Sequence, residues 1–332
     1  MQKTPSDNNF YFNEEDALGG ISEKAALLFE QQVSNWPLAS GNYMALDSVQ
    51  VKHFEFDDFT IDAQFNPGRI VSSSAKVDPK SIQSRPCFLC SQNLPPEQRA
   101  VKLVNDYILL VNPFPIFSKH FTIPSLHHIP QSIYSEIDNM LIISELLGED
   151  YTLFYNGPRC GASAPDHLHF QAGNFGFMRI DNEYEKVIKL YGKTINKKNG
   201  LITSAITGYH RNFLSIESGS RELLVDEFNR IYNALNSDEP GLEPMLNIIC
   251  TYRNGWRLAI FPRSKHRPTY FFEEGDKKIL ISPAAVDLGG VCIFPREEDF
   301  NMISKELIVD IFEQVTLSKM EFEKLIEKIN FN

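Results

Sequence analysis

Hydrophobic and polar positions along the chain repeat with two periods, and the predicted elements follow from where each period holds. Over residues 21–33 the apolar side chains Ala25, Leu28, Phe29 and Val33 fall at helical spacing, which predicts an amphipathic helix ended by Trp36-Pro37. Residues 50–65 change to strand-like alternation. Val51, His53 and Phe54 lie on one arm and Phe59, Ile61 and Phe65 on the other, with Asp57-Asp58 at the turn of a hairpin. Asn66-Pro67-Gly68 marks a further turn. Two β-type runs, 101–104 and 107–111, meet around Asn105-Asp106, and a third covers 120–124. Ile133, Ile137, Leu141, Ile142 and Leu146 predict a helix over 131–147, closed by Gly148 as C-cap, with a strand over 151–155 behind it.

Beyond Phe177 the pattern partly repeats. A hairpin is predicted over 204–216, a helix over 221–235, and strands over 245–253 and 256–261 on either side of Asn254-Gly255. A strand over 289–294 and one or two helices over 298–329 complete the chain, while residues 1–13 read as a polar, frayed tail. Strand pairs followed by a helix in each half predict an α+β fold of two tandem units, each a largely antiparallel sheet with flanking helices. The expected division is an N-terminal segment with one helix over 1–44, a first unit over 45–180 and a second over 181–332.

Composition narrows the function. The 332 residues carry a formal net charge of −11, which argues against a broad nucleic-acid or anionic-membrane surface but leaves room for local cations around a phosphorylated ligand. Five cysteines, an odd number in a long chain, read as thiols of a reducing compartment. Met1 to Asn9 has no apolar segment of the signal-peptide kind, and no apolar run approaches the roughly 20 residues of a membrane span, so a soluble cytoplasmic protein is expected. Neither a G-x-G-x-x-G loop nor a Walker-type loop is present.

The chemistry concentrates in Asp166-His167-Leu168-His169-Phe170-Gln171. On an extended strand His167, His169 and Gln171 would share one face, with Leu168 and Phe170 in the core behind them. Neutral imidazole at pH 7 serves as a nucleophile or a metal ligand, and the carboxamide adds a donor and an acceptor. The Gly- and Ser-containing loop before it, Gly157 to Ser163, can bring backbone N–H groups to a phosphate. Cys87-x-x-Cys90 is a weaker signal, because a zinc site needs two more ligands; His127, His128 and His167 are the candidates. Arg257, Arg263, Lys265, His266 and Arg267 form a basic block in an acidic chain, suited to phosphate although such runs are more often solvated faces. Arg69 is a second, lesser candidate, and His53 and His210 read as structural.

His-Leu-His-Phe-Gln-Ala resembles the active-site strand of the GDP-hexose phosphorylases, the GDP-L-galactose and GDP-D-glucose phosphorylase group. These belong to the histidine-triad (HIT) superfamily, with galactose-1-phosphate uridylyltransferase and diadenosine tetraphosphate phosphorylase. The blocks from Gly255 to Pro268 and from Ser282 to Gly290 are similar to the C-terminal half of the same group, and the resemblance covers about residues 45–315. It implies two HIT-like units. It further implies His169 as the nucleophile on an α-phosphorus, Gln171 as the holder of the phosphoryl oxygens, and Asn112, Asn156 and Ser163 as nucleotide and phosphate contacts. Arg257, Arg263, His266 and Arg267 are the further substrate contacts expected from the basic block. By the uridylyltransferase pattern a structural zinc ion would be held by Cys87, Cys90, a histidine of the intervening segment (His127, or else His128) and His167, which also orients the catalytic strand. The activity implied is phosphorolysis of a GDP-hexose through a nucleotidyl-histidine, with a nucleoside diphosphate-sugar and inorganic phosphate as partners and no organic cofactor. Other nucleotidylyl transfer on the same fold, dinucleoside-polyphosphate phosphorolysis included, and a non-catalytic nucleotide- or zinc-binding module are the competing readings.

Overall fold

The computed structural model describes residues 10–11, 20–70, 78–235 and 241–331. Most of the tail expected over 1–13 lies outside the described residues. Among the described residues thirteen strands are present: β1 Gln50–Glu55, β2 Thr60–Phe65, β3 Ala100–Lys102, β4 Ile108–Val111, β5 His120–Pro124, β6 Tyr151–Asn156, β7 His169–Asn174, β8 Gly192–Lys198, β9 Leu201–Ile206, β10 Phe213–Ser218, β11 Leu246–Tyr252, β12 Trp256–Pro262 and β13 Val291–Phe294. Ten of them form one sheet in the order β3-β4-β5-β7-β6-β11-β12-β10-β9-β8, every pair antiparallel.

That order is one pattern used twice. The first five strands run third, fourth, fifth, seventh, sixth; from the other edge the second five run eighth, ninth, tenth, twelfth, eleventh. Each half carries its helix between its third and fourth strands in sequence, Ile137–Leu147 in one and Arg221–Ala234 in the other. The halves join where β6 pairs with β11, with Asn156 opposite Asn247. The α+β architecture of two similar antiparallel units expected from the sequence is therefore the one the chain adopts. β7, the His-bearing strand, corresponds in topology to β12, which contains no histidine.

Local chemistry explains the turns. Asn105 and Asp106 both have positive φ (51° and 61°), as a two-residue hairpin between twisted strands requires, and Asn199-Gly200 (53° and 84°) does the same between β8 and β9. The helix Ile21–Asn35 ends at Trp36, but Pro37 opens a second helix, Pro37–Ala45, instead of a loop. Proline at the first helical position loses only an N–H that would have no partner there, so it starts a helix as readily as it stops one.

The two faces of the large sheet are covered differently. One packs on the helices Ile21–Asn35, Ile137–Leu147, Arg221–Ala234 and Lys319–Phe331; Leu153, Tyr155, Leu168, Phe170 and Ala172 point into that core. The other meets the three-stranded sheet β1-β2-β13 and the helices Arg179–Tyr191 and Lys305–Val315 through Phe154, Phe117, Phe213, Ile249 and Phe261. Alternation along β7 thus sends Phe170 and Ala172 into the helical core and His169, Gln171 and Gly173 to the opposite face. Among the described residues no helix is long and apolar enough to cross a membrane.

Gly173 keeps this arrangement possible, because a Cβ there would overlap the buried ring of Phe117. Gly173→Ala is expected to destabilise the fold by about 1–3 kcal/mol through overpacking, read as a lower urea midpoint at unchanged m-value. An unchanged midpoint would contradict this packing.

Candidate functional site

His169 is the first residue of β7, and its surroundings are unusually determined. The β6–β7 ladder stops at Phe154 opposite Gln171, and beyond it the strands part. The buried side chain of Gln131 fills the gap. Its Nε2 donates to the carbonyls of Asn156 (2.9 Å) and His169 (3.0 Å), and its Oε1 accepts from the N–H of His169 (2.8 Å). One carboxamide thereby continues the ladder where backbone cannot. This requirement removes 131–136 from the predicted helix, which begins only at Ile137. Ile133 N–H is likewise committed, to the Glu243 carboxylate at 2.6 Å.

His169 is 3% exposed, and its Nδ1 lies 2.8 Å from the carbonyl oxygen of His167. A carbonyl can only accept, so Nδ1 carries the hydrogen and Nε2 keeps its lone pair. Burial lowers the ring's pKa to about 4, outweighing the opposite effect of the bond to the His167 carbonyl, so it is neutral at physiological pH. His167 does not share the strand. It sits in the bend before β7 and turns away, its Nε2 donating to Ser125 O at 2.8 Å.

His169 and Gln171 line a cavity of about 590 Å³, a size suited to a nucleotide-sized ligand. Asn112, Asn156, Ser163, His266 and Arg267 line it too, so five of the expected substrate contacts converge there. Asn156 is held through Oδ1, which accepts from Asn247 Nδ2 (2.8 Å) and Ala285 N (2.9 Å); its Nδ2 remains as a donor for the cavity. Gly161, at φ +98°, lets the loop before β7 press on Ala284, where a Cβ would clash. Cations line the same space: Arg267, stacked on Phe271 at 3.9 Å and donating to Ser282; Arg69, donating to Phe114 O at 2.7 Å; and Arg85, bound to Asp166 at 3.0 Å. Burial beside Arg267 and Arg263 lowers His266 to about 4, so it too is neutral.

Two of the expected contacts are elsewhere. Arg257 stands near the far end of β12, six residues and so about 20 Å of extended chain from Arg263. There it pairs with Glu185 and Glu217 and covers the ring of Tyr184. Arg263 is buried next to the site but has nothing left to give. Its Nε donates to Val315 O (3.0 Å), one terminal nitrogen to Asn247 Oδ1 (2.6 Å) and Pro283 O (2.9 Å), the other to the carbonyls of Lys265 and His266 (3.0 Å each). All five N–H groups are used, so Arg263 braces the segment that carries His266 and Arg267 and holds Asn247 against Asn156. In the sequence Asp166 and Ser282 stand out only as members of longer motifs, and nothing there gives Gln131 or Arg85 a part in the site.

The metal ligand set is also revised. Cys87, Cys90, His128 and His167 bring one ligand atom each within 4.8 Å of one another. His167 Nδ1 is 3.3 Å from Cys87 Sγ, 3.6 Å from Cys90 Sγ and 3.3 Å from His128 Nδ1, and Cys90 Sγ is 3.3 Å from His128 Nδ1. Ligands at ordinary zinc bond lengths in a tetrahedron stand about 3.3–3.8 Å apart, so two thiols and two imidazoles here fit zinc. The Nε2–H to Ser125 bond leaves His167 Nδ1 free to coordinate, and Asp166 Oδ2 stands 4.0 Å from His128 Nε2 as an outer partner. His127 is not in this group; its exposed ring pairs with Asp106 at 3.1 Å. The chain bends at Leu126 and His127, and the two adjacent rings take different partners, His128 the thiol of Cys90 and His127 the carboxylate of Asp106.

Elemental analysis of the purified protein should find stoichiometric zinc that Cys87→Ser and His128→Ala lose and His127→Ala keeps. Loss in His127→Ala with retention in His128→Ala would reverse this ligand assignment.

Comparison with known proteins agrees with this layout. Residues 28–174 match a family model described as a domain of unknown function (DUF4922), and residues 183–331 match the GDPGP1-like C-terminal domain. The break between them falls after β7, where one half of the sheet ends. No curated protein sequence matches the chain. Among solved structures, yeast Ap4A phosphorylase Apa2 is similar, at 14% identity and a TM-score of 0.57 over 87% of this chain and 97% of that one. The same enzyme in complex with AMP gives 14% identity and a TM-score of 0.53 over the same shares. The chain has an α+β fold of the HIT-like kind, and its C-terminal half matches a GDPGP1-like domain.

Proposed function

We propose that the protein is a nucleotidyl transferase that phosphorolyses a GDP-hexose through a covalent intermediate on His169. The observation that carries this reading is the tautomer of His169: with Nδ1–H fixed on the His167 carbonyl and the ring neutral, Nε2 is a nucleophile on the cavity wall. Nε2 attacks the α-phosphorus, the bond from phosphorus to the bridging oxygen breaks, and hexose 1-phosphate leaves as an anion. A phosphate monoester needs no strong general acid, in keeping with a glutamine at position 171. Phosphate oxygen then attacks the same phosphorus, the Nε2–phosphorus bond breaks, and GDP is released. Asn156, Ser163 and Gln171 serve as donors to the phosphoryl oxygens, and Arg69, Arg85 and Arg267 offset the charge of the two phosphates. A zinc ion on Cys87, Cys90, His128 and His167 would supply a cross-link, since protein fills all four positions.

The likeness to an Ap4A phosphorylase supports a second reading, with a dinucleoside polyphosphate as substrate. The match of residues 183–331 to a GDPGP1-like C-terminal domain supports the hexose.

Intact-mass measurement after incubation with GDP-glucose, without phosphate, is expected to show a guanylyl adduct that phosphate discharges as GDP. His169→Ala should form none. Since protonation would remove the lone pair and the pKa is pushed down to about 4, adduct formation should stay level from pH 8 down to about pH 5. Adduct formation from diadenosine tetraphosphate alone would favour the second reading, and full activity in His169→Ala would overturn the covalent mechanism.

A further inference from the structure

Resting on the reading above, we infer that His120 is a positioning residue that fixes which end of the Gln171 carboxamide faces the transferred phosphoryl group, and so directs the nucleotidyl-His169 intermediate to phosphate instead of water. His120 opens β5, is 0% exposed, and packs against the rings of Phe117 and Phe154. Its strand lies beside the active strand, with Thr122 opposite Gln171.

The chain of donors settles the amide's direction. Ile116 N–H, which can only donate, meets His120 Nδ1 at 3.3 Å, so Nδ1 holds a lone pair and the ring hydrogen is on Nε2. Nε2–H lies 3.0 Å from the Gln171 side chain and needs an acceptor there, which is Oε1. A reversed carboxamide would set its NH2 against that N–H. Protonating the ring gives no escape, because it would put a second N–H against Ile116; burial, with Arg69 nearby, already lowers the pKa to about 3. Gln171 is thus left with its NH2 as the group available to the cavity.

An NH2 donates to phosphoryl oxygens and offers water no acceptor. Turned around, the carboxamide oxygen would repel the phosphoryl oxygens and accept a hydrogen bond from a water, aligning it on phosphorus. Water attack breaks the same Nε2–phosphorus bond and gives GMP, with the proton released to solvent; phosphate attack gives GDP. The amide's direction therefore bears on the product ratio, beyond the overall rate.

The test uses the full chain, wild type and variants, with GDP-glucose as probe, with and without inorganic phosphate, and quantifies GDP, GMP and the adduct. Wild type should give mostly GDP when phosphate is present. In His120→Leu the GMP-to-GDP ratio should rise roughly tenfold or more, part of the 10²–10³ that losing an oxyanion donor can cost. His120→Gln, which keeps an acceptor for Ile116 and a donor for Gln171, should restore a ratio close to wild type. His120→Leu with an unchanged ratio, even at a lower total rate, assigns His120 a packing role only and overturns the inference. Failure of the wild type to form any adduct or GDP overturns the parent reading instead, and this inference with it.

Discussion

The bond from His169 Nδ1–H to the carbonyl of His167 sets the terms for the whole site. For that carbonyl to face an imidazole two residues on, it must be free of the sheet, so the strand can begin only at His169. Starting there leaves the backbone of His169 without a ladder partner on the β6 side, and Gln131 supplies one. The same break turns His167 outward toward Cys87, Cys90 and His128. One hydrogen bond thus ties together the tautomer of the proposed nucleophile, the end of the strand and the place of the metal ligands.

The tandem architecture explains why the site is one-sided. Both halves of the large sheet use the same strand order, but only the first carries a histidine, His169, on the strand in question. The second half contributes support. Asn247 fixes Asn156, and Arg263 binds Asn247 while bracing the segment of His266 and Arg267. A buried guanidinium is costly unless every N–H is matched, and its five acceptors come from four stretches of chain, which makes it a rigid junction.

Much was readable along the chain. The hairpin Gln50–Phe65 and the Asn254-Gly255 turn follow from period-two alternation and turn chemistry, both local properties. Other local signals were present but harder to weigh. Ile180, Tyr184 and Val187 lie at helical spacing on the helix Arg179–Tyr191, and Asn199-Gly200 marks the turn that pairs β8 with β9, yet the many charges of residues 179–198 weakened the pattern. Residues 131–136 show the reverse: helical spacing was there, but these residues satisfy His169 and Glu243 instead.

Sequence alone determined the α+β class, the repeated strand-and-helix scheme, the pairing of His169 with Gln171 two residues on, and the presence of a C-x-x-C with histidines able to complete it. These depend on periodicity and residue type, which are fixed by neighbours in the chain. Tertiary structure decided which of two adjacent histidines meets the thiols, which arginines face the cavity and which is spent on carbonyls, and that His120 stands behind Gln171. Those outcomes depend on directions taken by side chains from segments 30 to 130 residues apart, such as Asn156 and Ala285. A donor finds its acceptor there only once both backbones are in place.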